Sequence, residues 1–491
     1  MRKPLLHPLP SRRPALALLL AALLAGCAAG PDYQPPAPLA NNVLPQPAAA
    51  VPSRASENAF GAAQTWRADM ELEAPWWQQL GSPGLDALIT EALQASPTLA
   101  AAQAQLRQAE ELQGAQERAT KLPRADLGVG SARQHISPSA QGLPGDGRTF
   151  NLQSASVSVQ YQLDVSGGNR RALQALAART DYRRYQLAGA RLDLVARIAS
   201  TAITQARIAA QAEALEAIAS NQASQSDIAD ERLRLGQAMP ADVQALQAAL
   251  EQTRAYALLL RKQAEQSAHL LALLAGRTPG AERLPTFTLQ DFKLPAELPQ
   301  VLPSELVRQR PDIQAAEALV RVASAEHGVA VARMYPQIRL SANLGSQALT
   351  TGALFGGGSA VWGLIAQLTQ PLFDPALPAQ QRAALAGLDA AAAQYQSVVL
   401  DALRSVADAL RATEADAQVL ATLERADVAA QASLQTTQQQ LALGAASYLQ
   451  WLVAQQQALQ LRSSLVAAQA QRLADSAALF QAVGAGQGAH S

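Results

Sequence analysis

The residue types that usually carry catalysis or bind metals are sparse and scattered in this chain of 491 residues. The five histidines lie far apart, and the chain has neither an HExxH motif nor Cys/His pairs with metal-ligand spacing. A phosphate-binding loop of the GxxxxGK(S/T) type is also absent from the sequence. Cys27 is the only cysteine, so it cannot form an intramolecular disulfide. We therefore expect no enzymatic activity and no metal or cofactor, and Cys27 is the one side chain with a predicted chemistry.

The first 27 residues have the pattern of a leader that is removed from the mature chain. Basic residues come first, and the apolar core that follows at 15–23 is too short to span a membrane as a stable helix. Residues 24–27 read Leu-Ala-Gly-Cys, which resembles the lipobox of bacterial lipoproteins. This resemblance implies a signal peptide at 1–26 and a covalent lipid, diacylglycerol and an N-acyl chain, on Cys27. Because Ala28 rather than aspartate follows, it also favours the outer membrane. The alternative is an ordinary signal peptide with an incidental cysteine.

Composition indicates long helices rather than a compact α/β enzyme. Alanine, leucine and glutamine dominate, and only 4% of residues are aromatic. The net charge of zero gives no reason to expect nucleic acid as a partner. Residues 27–65 are rich in Pro, Ala, Asn and Ser, which predicts an extended tether. Residues 481–491 are rich in glycine and are predicted to be a disordered tail.

A helical pattern that changes directly into an alternating one occurs twice. The first change follows Leu122-Pro123 and the second follows Tyr335-Pro336. Proline ends the helix in each case, because it biases the preceding residue away from the α region. The spacing of the two copies is nearly half the chain, so the repeat is half a molecule rather than a small solenoid unit. We predict one repeat at 66–302 and a second at 303–480.

Each repeat is predicted to contain one β-hairpin, at about 124–165 and at about 337–370. In the first hairpin, apolar residues alternate with a polar set on the opposite face: Ser154, Ser156, Ser158, Gln160 and Gln162. One interpretation is an antiparallel sheet whose apolar face covers a soluble core. The other is a transmembrane barrel with apolar side chains outside and the polar set facing the lumen.

Long helical patterns favour the second interpretation. Uninterrupted stretches at 168–235 and 378–443 would each form a helix about 100 Å long at 1.5 Å per residue. Helices of this length imply a rod or a tube. The second stretch contains a coiled-coil seam with spacings of four and three: Val399, Leu403, Val406, Leu410, Thr413, Ala417 and Leu420.

Four predicted strands are too few to close a barrel, for which eight is the practical minimum. An open sheet in a bilayer would leave backbone hydrogen-bonding groups unsatisfied along its edges. Oligomerisation removes this problem, and two, three or four copies would give eight, twelve or sixteen strands. The physical argument alone does not choose among them.

Several segments resemble the TolC-like outer-membrane efflux factors, in particular the lipoprotein branch that serves RND-type pumps. Besides 24–27 they are APWWQQLGSPGLDALITEAL at 74–93, the block at 302–345, QPLFD at 370–374 and the block at 443–464. The resemblance implies a fold that is mainly α with a small β part. Two tandem repeats would form a long α-helical barrel, and a homotrimer would share a twelve-stranded outer-membrane barrel. The chain departs from the family pattern at the first hairpin exit, where residues 165–169 read Val-Ser-Gly-Gly-Asn.

The resemblance also implies a function: a passive duct in the bacterial outer membrane that extends into the periplasm. It would carry drugs or other small toxic compounds from an inner-membrane RND-type transporter and a periplasmic adaptor. Adaptor contacts are expected at the helix tips: Leu235, Gly236, Leu443 and Gly444. Acidic and bulky side chains near the tips would close the periplasmic end, and the candidates are Asp227, Asp230, Glu231, Leu423 and Asp427. A type I protein secretion duct and a coiled-coil scaffold without a pore are the alternatives.

Overall fold

The computed structural model describes residues 33–34, 60–67, 70, 75–138, 142, 144–280, 285–300 and 309–485. The predicted signal peptide, Cys27 and most of the tether lie outside these described residues. By internal contacts the chain divides into two compact units. Unit 1 contains 106–182 and 316–395, and unit 2 contains the described residues of 37–105 with 183–315 and 396–485.

The order helix, strand, strand, helix, helix occurs twice along the chain. The helices are α1 (Pro83–Ala95), α2 (Pro97–Lys121), α3 (Gly168–Arg234), α4 (Pro240–Leu274), α5 (Pro311–Ala332), α6 (Ala376–Ala442) and α7 (Tyr448–Ala482). The strands are β1 (Thr65–Arg67), β2 (Arg124–Ile136), β3 (Arg148–Leu163), β4 (Glu297–Pro299), β5 (Gln337–Ala348) and β6 (Ala360–Thr369). Thus α2-β2-β3-α3-α4 and α5-β5-β6-α6-α7 are two copies of one arrangement.

Local sequence explains where the paired helices turn. Gly236 follows α3 and Gly444 follows α6, with backbone φ angles of 70° and 73°. Only glycine adopts this left-handed conformation without a steric penalty. Ser447 then caps α7, since its side chain accepts a hydrogen bond from Gln450 N and Gln450 reaches back to Ser447 N. Each turn therefore ends one helix at a glycine. The next helix starts with the Ser447 cap in the second turn and with Pro240 at its first position in the first turn.

Both helix pairs contribute to one hydrophobic cluster in unit 2. Trp451 of α7 is buried with Ala229 of α3 and with Val243 and Leu246 of α4. Leu434 and Leu441 of α6 pack against the same cluster. All seven residues of the predicted seam are buried on α6, so the seam prediction is confirmed.

The predicted tether is too long at its C-terminal end. Phe60 and Gln64 are buried, and the buried Arg472 of α7 donates hydrogen bonds to the carbonyl oxygens of Phe60, at 2.5 Å, and Ala62, at 2.9 Å. The segment then forms β1, which pairs in parallel with β4. Residues 60–65 are part of unit 2 because these buried polar contacts bind them there.

The predicted disordered tail begins too early. Helix α7 continues to Ala482, and Val483 and Ala485 after it are buried. Gly484 has a φ of 78° and closes the helix end, where Ala485 N bonds to Phe480 O. Residues 481–485 are therefore ordered because apolar side chains bury them, and 486–491 lie outside the described residues.

In the described ranges, no helix combines the length and the apolar character needed to cross a membrane.

Candidate functional site

The four longer strands form one antiparallel sheet in unit 1, in the order β2-β3-β5-β6. The central pairing of β3 with β5 joins the hairpin of the first repeat to that of the second. Strands β2 and β6 each keep one backbone edge without a strand partner among the described residues. Each of these two edge strands can therefore pair with a further strand.

One face of the sheet is apolar and exposed. The register aligns Leu127, Val157, Leu344 and Trp362 in a single row across all four strands. Leu127 and Trp362 are 76% and 80% exposed. The rows on either side add further apolar residues: Val129, Val159, Leu364, Tyr161, Leu340, Leu163, Ile338 and Leu368. From Ala155 to Leu163 this band extends roughly 27 Å along β3, at 3.4 Å per residue. Because strands of membrane barrels are tilted by about 35–45°, this length corresponds to a height of roughly 20 Å, somewhat less than the apolar band of about 25 Å on such barrels.

The opposite face is polar. Asp126, Ser158 and Asn343 form one row, and Arg124, Gln160 and Ser341 form another. The predicted lumen residues Ser154, Ser156, Ser158, Gln160 and Gln162 all lie on this face, since they alternate with the apolar set on β3. The sequence pattern thus identified the face correctly on β3, and the register extends it to β2 and β5. On β6 the same face carries Val361 and Ile365.

Glycines allow close approach on the polar face. Gly345 lies opposite Ser156, and a Cβ atom built at Gly345 would be 2.7 Å from Ser156 Cα. A Cβ atom at Gly363 would be 2.6 Å from Asn343 Oδ1. A larger side chain at Gly345 would force the strands apart, because it would meet the backbone of β3, whereas at Gly363 the Asn343 side chain could move away. Glycines at such points are the usual means by which a sheet is curved towards closure.

The turns between paired helices present apolar side chains. Leu235 is exposed beside Gly236, and Leu443 is 85% exposed beside Gly444. Met239 and Leu449 are also exposed, although the sequence analysis did not single them out. Their signal in the sequence is weak: an apolar residue within a few positions of a glycine turn. Exposed apolar side chains of this kind indicate a contact surface.

The predicted gate residues differ in their surroundings. Asp227 and Glu231 are exposed on α3, where Glu231 forms a 3.1 Å ion pair with Arg234, while Asp230 is half-buried. Leu423 on α6 is also half-buried. The arrangement leaves the acidic groups of α3 accessible to solvent or to another molecule.

Asp427 is different, because it is buried within the chain. It is 6% exposed, and its Oδ2 atom accepts a hydrogen bond of 3.3 Å from Arg462 Nη1 on α7. This charge-assisted hydrogen bond connects α6 to α7. The sequence analysis, which gave Asp427 as a gate candidate, did not predict this intramolecular contact.

A second buried polar cluster was not predicted at all. Arg472 of α7 is 2% exposed and lies near Asp416 of α6. Burial, and then the adjacent Asp475 carboxylate, raise the pKa of Asp416 to about 7, while Arg472 opposes the shift. The sequence gives no signal for this cluster, because buried and solvated charges look alike on an alanine-rich helix. Among the described residues, no group of three His, Cys, Asp or Glu side chains could hold a metal ion.

Comparison with known proteins identifies relatives along nearly the whole chain. The family model described as Outer membrane efflux protein matches residues 88–277 and 302–485. The chain is 28% identical to Probable efflux pump outer membrane protein SepC of Pseudomonas putida F1, with 96% of each chain covered. It is 29% identical to Outer membrane protein OprJ of Pseudomonas aeruginosa, with 97% of each covered.

Solved structures agree with the sequence matches. The outer-membrane channel OprN has a TM-score of 0.80 and 25% identity, with 94% of this chain and 100% of that chain covered. The outer membrane protein VceC from Vibrio cholerae has a TM-score of 0.76 and 26% identity, with 84% and 98% covered.

These matches confirm the predicted fold, which is mainly α with a small β part built from two tandem repeats. They also confirm the predicted localisation, because the relatives are outer-membrane proteins. Since the family model covers well over half of the residues, this chain belongs to the outer membrane efflux protein family.

Proposed function

We propose that three copies of this chain form a passive duct through the outer membrane for drugs or other small toxic compounds. Each copy supplies four strands and two open sheet edges, at β2 and β6. Pairing β6 of one copy with β2 of the next satisfies the edge backbone groups, as a membrane barrel requires. Three copies then give twelve strands in a closed barrel, above the minimum of eight.

The two-faced sheet is the observation that carries this proposal. A soluble core would cover the apolar row of Leu127, Val157, Leu344 and Trp362, but in this chain the row is exposed. Lipid can cover such a face, and the polar face can line water. Ser154, Ser156, Ser158, Gln160 and Gln162 would then lie along the lumen.

The helix turns are the proposed contact with a periplasmic adaptor, which would link the duct to an inner-membrane transporter of the RND type. Leu235 and Leu443, beside Gly236 and Gly444, offer the exposed apolar side chains that such a contact needs. Relatives named as a toluene efflux pump component, TtgF, and an antibiotic efflux pump component, ArpC, support a small-molecule cargo.

The gate is proposed at the turn end of the helices. Asp227, Asp230 and Glu231 of α3 would meet their copies in neighbouring protomers, and Leu423 would narrow the same region. Asp427 would act differently, by holding α6 against α7 through Arg462.

Cys27 is the proposed lipid attachment site and would hold the N-terminal end of the chain at the membrane. Mass spectrometry of the mature N-terminal peptide tests this directly. A Cys27→Ser variant should lose the lipid mass while keeping the rest of the protein, and an unmodified cysteine in the wild type would contradict the assignment.

Planar-bilayer recordings test the duct itself, with two variants in which a cysteine is introduced at adjacent positions of β3. Ser158→Cys lies on the polar face and Val157→Cys on the apolar face of β3. A charged methanethiosulfonate reagent should reduce the conductance of the first and leave that of the second unchanged, because only the lumen is filled with water. Absence of any conductance, or equal block of both variants, would overturn the proposal.

A further inference from the structure

Two adjacent apolar side chains just after β6 are almost completely exposed. Leu372 and Phe373 are 94% and 89% exposed, the highest values for large apolar side chains in the described part of the chain. Strand β6 ends at Thr369, so the pair lies in the connection to α6. We call residues 370–374 the second exit. Side chains of this size are rarely left in water without a binding role.

The second exit is held in place at both ends. The Gln370 side chain donates hydrogen bonds to the carbonyl oxygens of Met334, at 3.1 Å, and Pro371, at 3.0 Å. Asp374 accepts a hydrogen bond of 2.9 Å from Ala376 N at the start of α6. Hydrogen bonds thus hold the residues on both sides of Leu372 and Phe373, at Gln370 and at Asp374.

Along the chain, the second exit follows directly after the last row of the apolar band. Leu364 and Leu368 are exposed on the apolar face of β6, and the band ends in the row that contains Leu368. Tyr335 is half exposed in the α5–β5 connection, next to the Met334 carbonyl that Gln370 binds. Aromatic side chains at the border of an apolar band are typical of the membrane–water interface.

We propose that Leu372 and Phe373 insert into the lipid at the boundary between headgroups and acyl chains on the periplasmic side, and so fix the depth of the barrel. The inference rests on the proposed function, because it takes the apolar face to be covered by lipid. A second copy would approach β6 along its unpaired backbone edge, in the plane of the sheet. The apolar face, whose last row lies four residues before the pair in the chain, stays free for lipid.

Site-specific labelling tests this depth. A Phe373→Cys variant carries an environment-sensitive fluorophore and is placed in vesicles of phosphatidylethanolamine and phosphatidylglycerol. A nitroxide quencher is attached either to the lipid headgroup or deep in the acyl chain. Leu364→Cys on the apolar face and Leu443→Cys at the helix turn are the matched controls. The wild-type chain, whose only cysteine is Cys27, gives the labelling background.

At position 373 the headgroup quencher should act about twofold more strongly than the deep quencher, as an interfacial location requires. At 364 the order should reverse, and at 443 neither quencher should act. Quenching at 364 without quenching at 373 would overturn this inference and leave the duct intact, and cross-linking of 373 between copies would then identify a second copy as the occupant. Absence of quenching at both positions would overturn the duct proposal as well.

Discussion

The two helix pairs have the same dimensions and different polar contacts. Helices α3 and α6 each contain 67 residues, and α4 and α7 each contain 35. The first pair is tied by Arg261 and Glu216, an ion pair on the surface. The second pair is tied by the buried contact of Asp427 with Arg462. Helix length is therefore repeated between the two halves, while the electrostatics of the pairing is not.

The difference follows from what each pair contacts. In the second pair, the buried Arg472 binds the carbonyl oxygens of Phe60 and Ala62, and Ser476 accepts a hydrogen bond from Gln64. The N-terminal segment thus packs on α7 and removes polar groups there from water. Burial makes each of these contacts more costly to break than an exposed pair. The following experiments test whether the two pairs differ in this way.

The largest effect is expected for Arg472→Met. The substitution removes two charge-assisted hydrogen bonds that a buried side chain makes to backbone carbonyls, which should cost about 3 kcal/mol. Circular dichroism of the detergent-solubilised protein would measure the lower melting temperature, and limited proteolysis should release the segment before β1. Arg261→Met in the first pair is the control. An equal fall in melting temperature for Arg472→Met and Arg261→Met would contradict the difference between the two helix pairs.

A smaller effect is expected for Asp427→Ala. The buried pair with Arg462 is lost, but Arg462 is half exposed and can turn to water, so about 1–2 kcal/mol should be lost. Glu216→Ala removes the exposed counterpart and should shift the melting temperature by less, with the shift vanishing at high salt. A larger shift for Glu216→Ala than for Asp427→Ala would reverse the ranking of the two contacts.

The smallest effect depends on pH and concerns Asp416. Its pKa is raised from 3.8 to about 7, so the folded state holds this proton more tightly than the unfolded state. The contribution of this proton to the free energy of unfolding is fully present when the pH is below the pKa that Asp416 has in the unfolded state. It is lost as the pH rises through the folded-state pKa of about 7. Asp416→Asn keeps a neutral group and should stabilise the protein by about 1 kcal/mol at pH 8, after allowance for partial exposure. At pH 4 the difference should nearly vanish, and a difference independent of pH would contradict the assignment.

Local sequence signals determined the elements and much of the sheet. Proline after Leu122 and Tyr335 marked where helices end, and the glycine turns at 236 and 444 marked where they reverse. Alternation on β3 separated polar from apolar faces before any register was known. These predictions succeeded because each depends on the conformational preference of a few neighbouring residues.

Contacts between distant parts of the chain had to come from the tertiary structure. Residues 60–65 were predicted as tether because the stretch before them is rich in Pro, Ala, Asn and Ser, yet Arg472, some four hundred positions later, binds them. Asp427 was predicted as a gate candidate, and only the tertiary structure shows that it is buried and paired with Arg462 on the adjacent helix. An alanine-rich helix presents charged residues with little sequence context, so burial is decided by which helix packs beside it. The periodicity of the sequence determined the two repeats, and packing decided that the Asp427 carboxylate joining α6 to α7 is buried while the ion pair joining α3 to α4 is exposed.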